Sequence, residues 1–361
     1  MTSKAKRVKG AGPGSDGRDG SAADGRRMQP TLQEVARLAR VSTATVSRVV
    51  NASPHVHPTT RKAVEKAIAR LGYVPNRAAR TLVTRRTDTI ALVVSEPESR
   101  VFSEPFFGSI VQGISAAIAD TELQLVLLIA RGEREHKKVE RYVRQRHVDG
   151  VILMSLHGDD PLPGALTSAG MPTVLMGRPR AGEQLPFVDA DNRGGAREAT
   201  THLLSLGRTK VATITGPLDM SAGVDRFAGY ADALAAAGRR VRKRLVAHGD
   251  FSAESGARAM TELLRRHPEV DGVFVASDPM AIGARAVLRE AGRRVPQDVA
   301  VVGFDDVADA ASATPALTTV HQPFEAMTKA MTELLLKQIA GRGTADASVV
   351  CPARLVVRGS A

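Results

Sequence analysis

The sequence predicts a small all-α head joined to a two-lobed α/β body built on parallel sheets. Three observations predict it. Two short helical patterns separated by a tight break fill Thr31–Asn51. From Asp88 onward, strand-like apolar runs alternate with amphipathic helices. The charge is also divided: residues 1–87 hold 18 Lys/Arg against 5 Asp/Glu, and the remainder holds 32 against 33. Nearly all of the net +12 therefore surrounds the head, as expected for a polyanion binder.

Residues 1–29 are rich in Gly, Ser, Ala, Arg and Asp and are read as a disordered basic tail. Thr31 is a good N-cap, and Glu34 three residues on completes a capping box. Leu32, Val35, Ala36 and Ala39 then share one helix face. The break is Arg40-Val41. Ser42 caps a second helix whose inner face is Val46, Val49 and Val50. Ala44, Ser47 and Arg48 project outward, with Thr43 at the exposed start. Small side chains and one Arg allow close approach to a DNA major groove. Thr59–Leu71 predicts a third helix, stopped by Gly72. Tyr73-Val74-Pro75 leaves it extended. Asn76–Leu82 reads either as a plain linker or as a hinge that becomes helical on DNA. The expected divisions are 1–29 tail, 30–75 head, 76–87 hinge and linker, and 88–361 body.

In the body, strands are expected at Ile90–Ser95, Leu125–Ala130, Gly150–Ser155, Pro172–Met176, Val211–Thr215, Gly272–Ala276 and Val299–Gly303. Helices fit Phe106–Asp120, Glu133–Gln145, Asn192–Leu206, Arg226–Ala237, Ala253–Arg266, Met280–Glu290 and Phe324–Ile339. Continuous apolar strands between helices indicate parallel sheets covered on both faces. The length calls for two lobes, and ligands in such folds bind beyond the carboxyl ends of the strands.

Polar residues stand at those ends: Ser95 and Glu96, Asp189 and Asp191, Ser277 and Asp278, Asp305 and Asp306. Asp225 and Arg226 are expected to open a helix. With Phe102, Phe106 and Phe251 nearby, this set suits a polyhydroxylated ligand. Asp or Ser after a strand also commonly caps the next helix, and Asp278 and Asp306 look more like caps.

Several classes are excluded. No apolar run approaches a membrane span, and the N-terminus has no secretory h-region, so a cytoplasmic protein is expected. The single cysteine, Cys351, has no internal partner, and no Cys/His cluster has zinc spacing. Phosphate-loop, dinucleotide, nucleophile-elbow and HExxH motifs are absent, and the histidines are scattered. No enzyme activity, metal or cofactor is expected. A solute-binding protein without a DNA role is the competing reading of the body, disfavoured by the basic head.

Thr31–Asn51, Tyr73-Val74-Pro75-Asn76, Val301–Asp306 and Leu317–Phe324 together resemble the lactose-repressor (LacI/GalR) family of bacterial transcription regulators. The resemblance covers about residues 30 to 358. It implies a periplasmic-binding-protein-like body and a repressor that binds palindromic operator DNA as a homodimer. An effector, a sugar by preference, controls operator affinity; purines and phosphorylated coregulators also occur in the family. By motif, Thr43 and Ala44 would touch base edges, and Arg48 would read guanine. Thr31, Thr45, Ser47 and Asn51 would contact phosphates or brace the motif. Asn76–Leu82 would be the hinge helix, with Leu82 its minor-groove wedge. Asp191, Arg226, Phe251, Asp305 and Gln322 match effector-lining positions, with Ser277, Phe102 and Phe106 added.

Two residues depart from the family pattern. Arg40 stands where Gly is usual in the turn, and His57 stands where Ser often caps the third helix. No leucine heptads follow Leu355-Val356-Val357, so a dimer rather than a tetramer is expected.

Overall fold

The computed structural model describes residues 30–50, 53, 55–74, 86–179, 182–344 and 346–361. The expected tail, Asn51 and the Asn76–Leu82 segment lie outside the described residues. The chain divides between Thr84 and Arg85 into two units.

The head is three helices, α1 (Leu32–Ala39), α2 (Thr43–Val50) and α3 (Pro58–Leu71). The expected capping box forms. Thr31 Oγ1 accepts from Glu34 N at 3.3 Å, and Glu34 Oε2 accepts from Thr31 N at 2.7 Å. Ser42 caps α2 by accepting from Thr45 N at 3.1 Å. His57 makes no side-chain cap bond to the α3 backbone. Val35, Ala36, Val46, Val49, Val64 and Ala67 form the core, and Tyr73 joins them. The extended exit therefore begins only after Tyr73 has been buried.

Arg40 ends α1 in the left-handed region, at φ 56 and ψ 44. Its N–H donates to Arg37 O, and Val41 N–H donates to Ala36 O at 3.0 Å. This is a Schellman turn, whose geometry favours Gly. The turn is thus built with a residue that its backbone disfavours.

The body contains two six-stranded sheets. In the first lobe β1 (Thr89–Val94), β2 (Gln124–Ile129), β3 (Gly150–Met154), β4 (Thr173–Met176) and β5 (Phe187–Ala190) are joined by β11 (Ser348–Cys351). Their order is β11-β5-β4-β3-β1-β2, and every pairing is parallel. Helices α4 (Glu98–Ser103), α5 (Pro105–Ala117), α6 (Glu133–Arg144) and α7 (Leu162–Ser168) connect these strands. The second lobe has β6 (Val211–Thr215), β7 (Val246–His248), β8 (Gly272–Val275), β9 (Ala300–Asp305), β10 (Thr318–His321) and β12 (Arg354–Val356). Their order is β12-β10-β9-β8-β6-β7, parallel except for β12. Around it lie α8 (Asn192–Ser205), α9 (Ser221–Ala236), α10 (Ala253–Arg266), α11 (Asp278–Glu290) and α12 (Ala308–Ser312). Strand interiors such as Ile90–Val94 are wholly buried, as continuous apolar runs require.

The chain crosses between lobes three times, at residues 190–192, 321–324 and 351–354. After the second crossing, α13 (Phe324–Ile339) returns to pack on α5 and the first sheet. Gly113 permits that approach, since a Cβ there would sit 2.3 Å from Thr328 Oγ1. Asp191 N–H donates to Cys351 O at 2.8 Å, tying the first and third crossings together.

Three expectations need correction. The helix placed at Arg226 begins at Ser221, so Asp225 and Arg226 lie in its second turn. Asp278 is not the cap of α11; Ser277 is, accepting from Met280 N at 3.3 Å. Asp306 is not a cap either. It accepts from His321 Nδ1 at 3.0 Å and from Arg358 Nη2 at 2.7 Å, which anchors the C-terminal segment.

Replacing Arg40 by Gly should stabilise the head. The left-handed conformation costs a side chain ~1–2 kcal/mol, and Gly loses roughly 0.5–1 kcal/mol to chain entropy. Hydrogen-exchange protection of the Val46 and Val49 amides should therefore rise in Arg40→Gly and fall in Arg40→Val. Equal protection in all three proteins would show that the turn carries no strain.

Candidate functional site

The second helix of the head presents an exposed face. Thr43, Ala44 and Arg48 are exposed on α2, while Val46 and Val49 face the core. Thr45 and Ser47 are half-buried at the edges of that face, and Thr45 Oγ1 lies 2.9 Å from Ser42 Oγ. Thr31 is exposed at the start of α1. The second helix thus offers small side chains and one guanidinium, the shape and chemistry of a major-groove reader.

In the body a cavity of about 800 Å3 opens between the lobes at the carboxyl ends of their strands. The first lobe contributes Glu96, Arg100, Glu104, Phe106, Arg178 and Asp189, among others. The second contributes Asn192, Arg226, Phe251, Ser277 and Asp305, with Gln322 from a crossing segment.

Arg226 organises the floor. Its Nε donates to Asn192 Oδ1 at 2.8 Å, and its Nη1 donates to Ala276 O at 2.6 Å and Asp305 Oδ1 at 3.1 Å. Gln322 Nε2 donates to the same Asp305 oxygen at 2.6 Å. The guanidinium also lies 3.7 Å from the Phe304 ring centroid and 5.6 Å from that of Phe251. Across the cleft, Arg100 lies 5.7 Å from the Phe251 centroid. Its Nη1 and Nε donate to Glu96 and Glu104, each at 2.8 Å.

The electrostatics follow from burial. Removal from water lowers the Arg226 pKa from its usual value, while Asp305 and Asp189 oppose that shift. Burial likewise raises Asp305, against the pull of Arg226 and Gln322. Asp189 is pushed up to about 6 by burial and by the nearby Asp225 carboxylate, with Arg178 opposing. Backbone strain is present here too. Ser155, Phe251 and Asp305 have positive φ, with Asp305 at 113. Such residues persist where surrounding contacts hold them, and they mark sites.

Of the eight expected effector residues, the structure brings Phe106, Arg226, Phe251, Ser277, Asp305 and Gln322 to one cavity wall. The Ser277 hydroxyl is already engaged, capping α11 and donating to Phe251 O at 3.1 Å. Two residues lie elsewhere. Phe102 is 75% exposed on α4 and is not on the wall. Asp191 is exposed and caps α8 by accepting from Gly194 N at 2.8 Å. Its neighbours Asp189 and Asn192 face the cavity instead, because β5 runs to Ala190 before the helix starts. Sequence reasoning missed Arg100, Glu104 and Arg178. Glu96, Arg100 and Glu104 do stand four residues apart, a readable ion-pair spacing.

A helix–turn–helix head and a two-lobed binding body define a DNA-binding regulator with a ligand-sensing part. Comparison with known proteins gives the family. The description "bacterial regulatory proteins, lacI family" matches residues 31–76, and "periplasmic binding protein-like domain" matches residues 200–361. The chain is 52% identical over 337 residues to the HTH-type transcriptional regulator CelR of Thermobifida fusca, covering 93% of this chain and 99% of that protein. The solved CelR–cellobiose complex superposes with a TM-score of 0.74 at 50% identity, covering 92% of this chain and 100% of that one. The lac repressor dimer bound to operator and the anti-inducer ONPF superposes with a TM-score of 0.81 at 28% identity, covering 92% and 99%. The chain belongs to the lacI family of bacterial regulatory proteins. It is a DNA-binding transcriptional regulator, not an enzyme, and the solute-binding alternative falls.

The Arg226–Asp305 pair makes a stability prediction. Both side chains are under 10% exposed, so deleting the carboxylate leaves a buried cation short of partners. Asp305→Ala should destabilise the body by about 3 kcal/mol. Asp305→Asn, which keeps an acceptor oxygen for Arg226, should cost less than half of that. Urea unfolding of the two variants tests this; equal losses would mean that the pair contributes only packing.

Proposed function

We propose that this regulator is a cytoplasmic homodimeric repressor that binds a palindromic operator and is controlled by a neutral sugar held in the interlobe cavity. The observation that carries the sugar assignment is the cavity's charge balance. Its wall has seven carboxylates and three guanidiniums. Each guanidinium is already paired, Arg100 with Glu96 and Glu104, Arg178 with Asp225, and Arg226 with Asp305. Among the described residues no free cation on the wall awaits an anion, so a phosphorylated ligand would meet net repulsion from them. Hydroxyl groups, in contrast, can donate to carboxylates while a ring face lies on Phe106 or Phe251. The cavity volume falls within the roughly 300–1,000 Å3 of small-molecule sites. Cellobiose, the ligand in the CelR complex, is the first candidate.

On the DNA side, Thr43, Ala44 and Arg48 read bases, and Thr31, Thr45 and Ser47 contact phosphates or brace the helix. Asn51, Asn76 and Leu82 are assigned by family resemblance alone. Effector binding changes the relation of the lobes and shifts the equilibrium between DNA-competent and released forms.

Fluorescence anisotropy on an operator recovered by binding selection tests the proposal. Cellobiose should change operator affinity, and glucose 6-phosphate at equal concentration should not. A response to the phosphosugar alone would overturn the neutral-ligand reading. Arg48→Ala should weaken operator binding by ~1–3 kcal/mol and relax preference at one base pair. An equal loss on random DNA would place Arg48 on phosphate only.

A further inference from the structure

Among the described residues, two ion pairs cross the cleft. His157 lies on the first-lobe loop after β3. Its Nδ1 is 3.1 Å from Asp219 Oδ2, on the second-lobe loop between β6 and α9. Its Nε2 is 3.2 Å from Glu96 Oε1 in its own lobe. A backbone bond reinforces the crossing, with Gly158 N–H donating to Asp219 O at 3.0 Å. The second pair joins Arg178, after β4, to Asp225 on α9. Arg178 Nε also lies 3.9 Å from Asp189 Oδ2.

The geometry at His157 sets its charge. A neutral imidazole has one N–H and one acceptor nitrogen. Here both ring nitrogens face carboxylate oxygens at hydrogen-bond distance, so only the doubly protonated, cationic ring can donate to both. Charged groups surround it on every side. Glu96 is shared with Arg100, which also holds Glu104. Asp219 comes from the second lobe. Asp159 and Asp160 stand on its own loop, and His136 of α6 approaches Asp160 at 3.5 Å. Carboxylates outnumber cations in this group.

We propose that His157–Asp219 and Arg178–Asp225 form a clamp that holds the two lobes together across the cavity and sets how readily an effector changes their relation. This inference rests on the cavity being the effector site. The two arms differ in kind. One ends in a guanidinium and the other in an imidazole. His157 titrates above 6.5, raised chiefly by its hydrogen bond to Glu96. The imidazolium arm is therefore complete below about 6.5 and is lost as pH rises through the raised value. Asp189 titrates near 6, below that window.

Hydrogen exchange on the full-length protein without added sugar, at pH 6.5 and 9.0 and corrected for intrinsic exchange, tests the clamp. At pH 6.5, protection of amides in 155–160 and 217–224 should fall about two- to fivefold in Asp219→Asn and in Arg178→Met, and further in the double variant. The unsubstituted protein should lose protection at pH 9.0, and Asp219→Asn should lose nothing more. His157→Lys, which keeps a cation, should be equally protected at both pH values. Unchanged protection in the double variant would overturn the clamp. So would a loss spread evenly over the body, or a pH response that survives in His157→Lys. Calorimetric titration of the same proteins with cellobiose keeps the two claims apart. Failure of all of them to bind would reject the effector assignment and leave the exchange result standing.

Discussion

A guanidinium removed from water needs partners from the protein, and Arg226 shows what that demands. It needs the side chain that opens α8, the carbonyl that ends β8 and the carboxylate that ends β9. It also needs Phe304 beneath it, and Asp305 in turn needs Gln322 from a crossing segment. Four segments far apart in sequence thus converge on Arg226 and its partner Asp305. Burying the charge without those partners would be costly. Asp305, whose carboxylate meets both donors, holds a positive φ. A binding floor fixed in this way is pre-organised for polar ligands.

The rest of the cavity is less constrained. Arg100 and Arg178 belong to the first lobe, and Arg226 belongs to the second. Their carboxylate partners lie partly in their own lobe and partly across the cleft. A ligand that competes for those carboxylates, or adds acceptors between them, changes the balance of the lobes without disturbing the Arg226 floor. That division suits a switch, with one rigid half carrying recognition and a set of weaker contacts carrying the response. In the head, the second helix keeps its valines inward and shows only small residues and Arg48 outward. The same economy appears there, with a fixed core and a spare reading surface.

Much of this was legible in the sequence because the decisive physics is local. The Thr31 and Ser42 caps and the inward Val46 and Val49 follow from spacing, while Arg40 stands out only against the family resemblance. The long buried strands were plain as apolar runs. The short strands Thr173–Met176 and Gly272–Val275 were expected, but others such as Val246–His248 and Arg354–Val356 were missed, since partners distant in sequence hold them. Asp189 and Asp191 looked alike, because only the true end of β5 decides which faces the cavity and which caps α8. His157 and Asp219 stand 62 residues apart, and no local pattern joins them. The charge tally also averaged too broadly. Within the near-neutral body, Arg239, Arg240, Arg242, Lys243 and Arg244 make an exposed basic run ahead of β7.

The central claim is that the head and the cavity are two ends of one equilibrium. Linkage gives its most direct test, because coupling between two binding sites is reciprocal. Operator affinity should be measured with and without saturating cellobiose, and cellobiose affinity with and without saturating operator. The account predicts the same factor, in the same direction, from both pairs of measurements. Cellobiose binding of equal strength to free and operator-bound protein would contradict it.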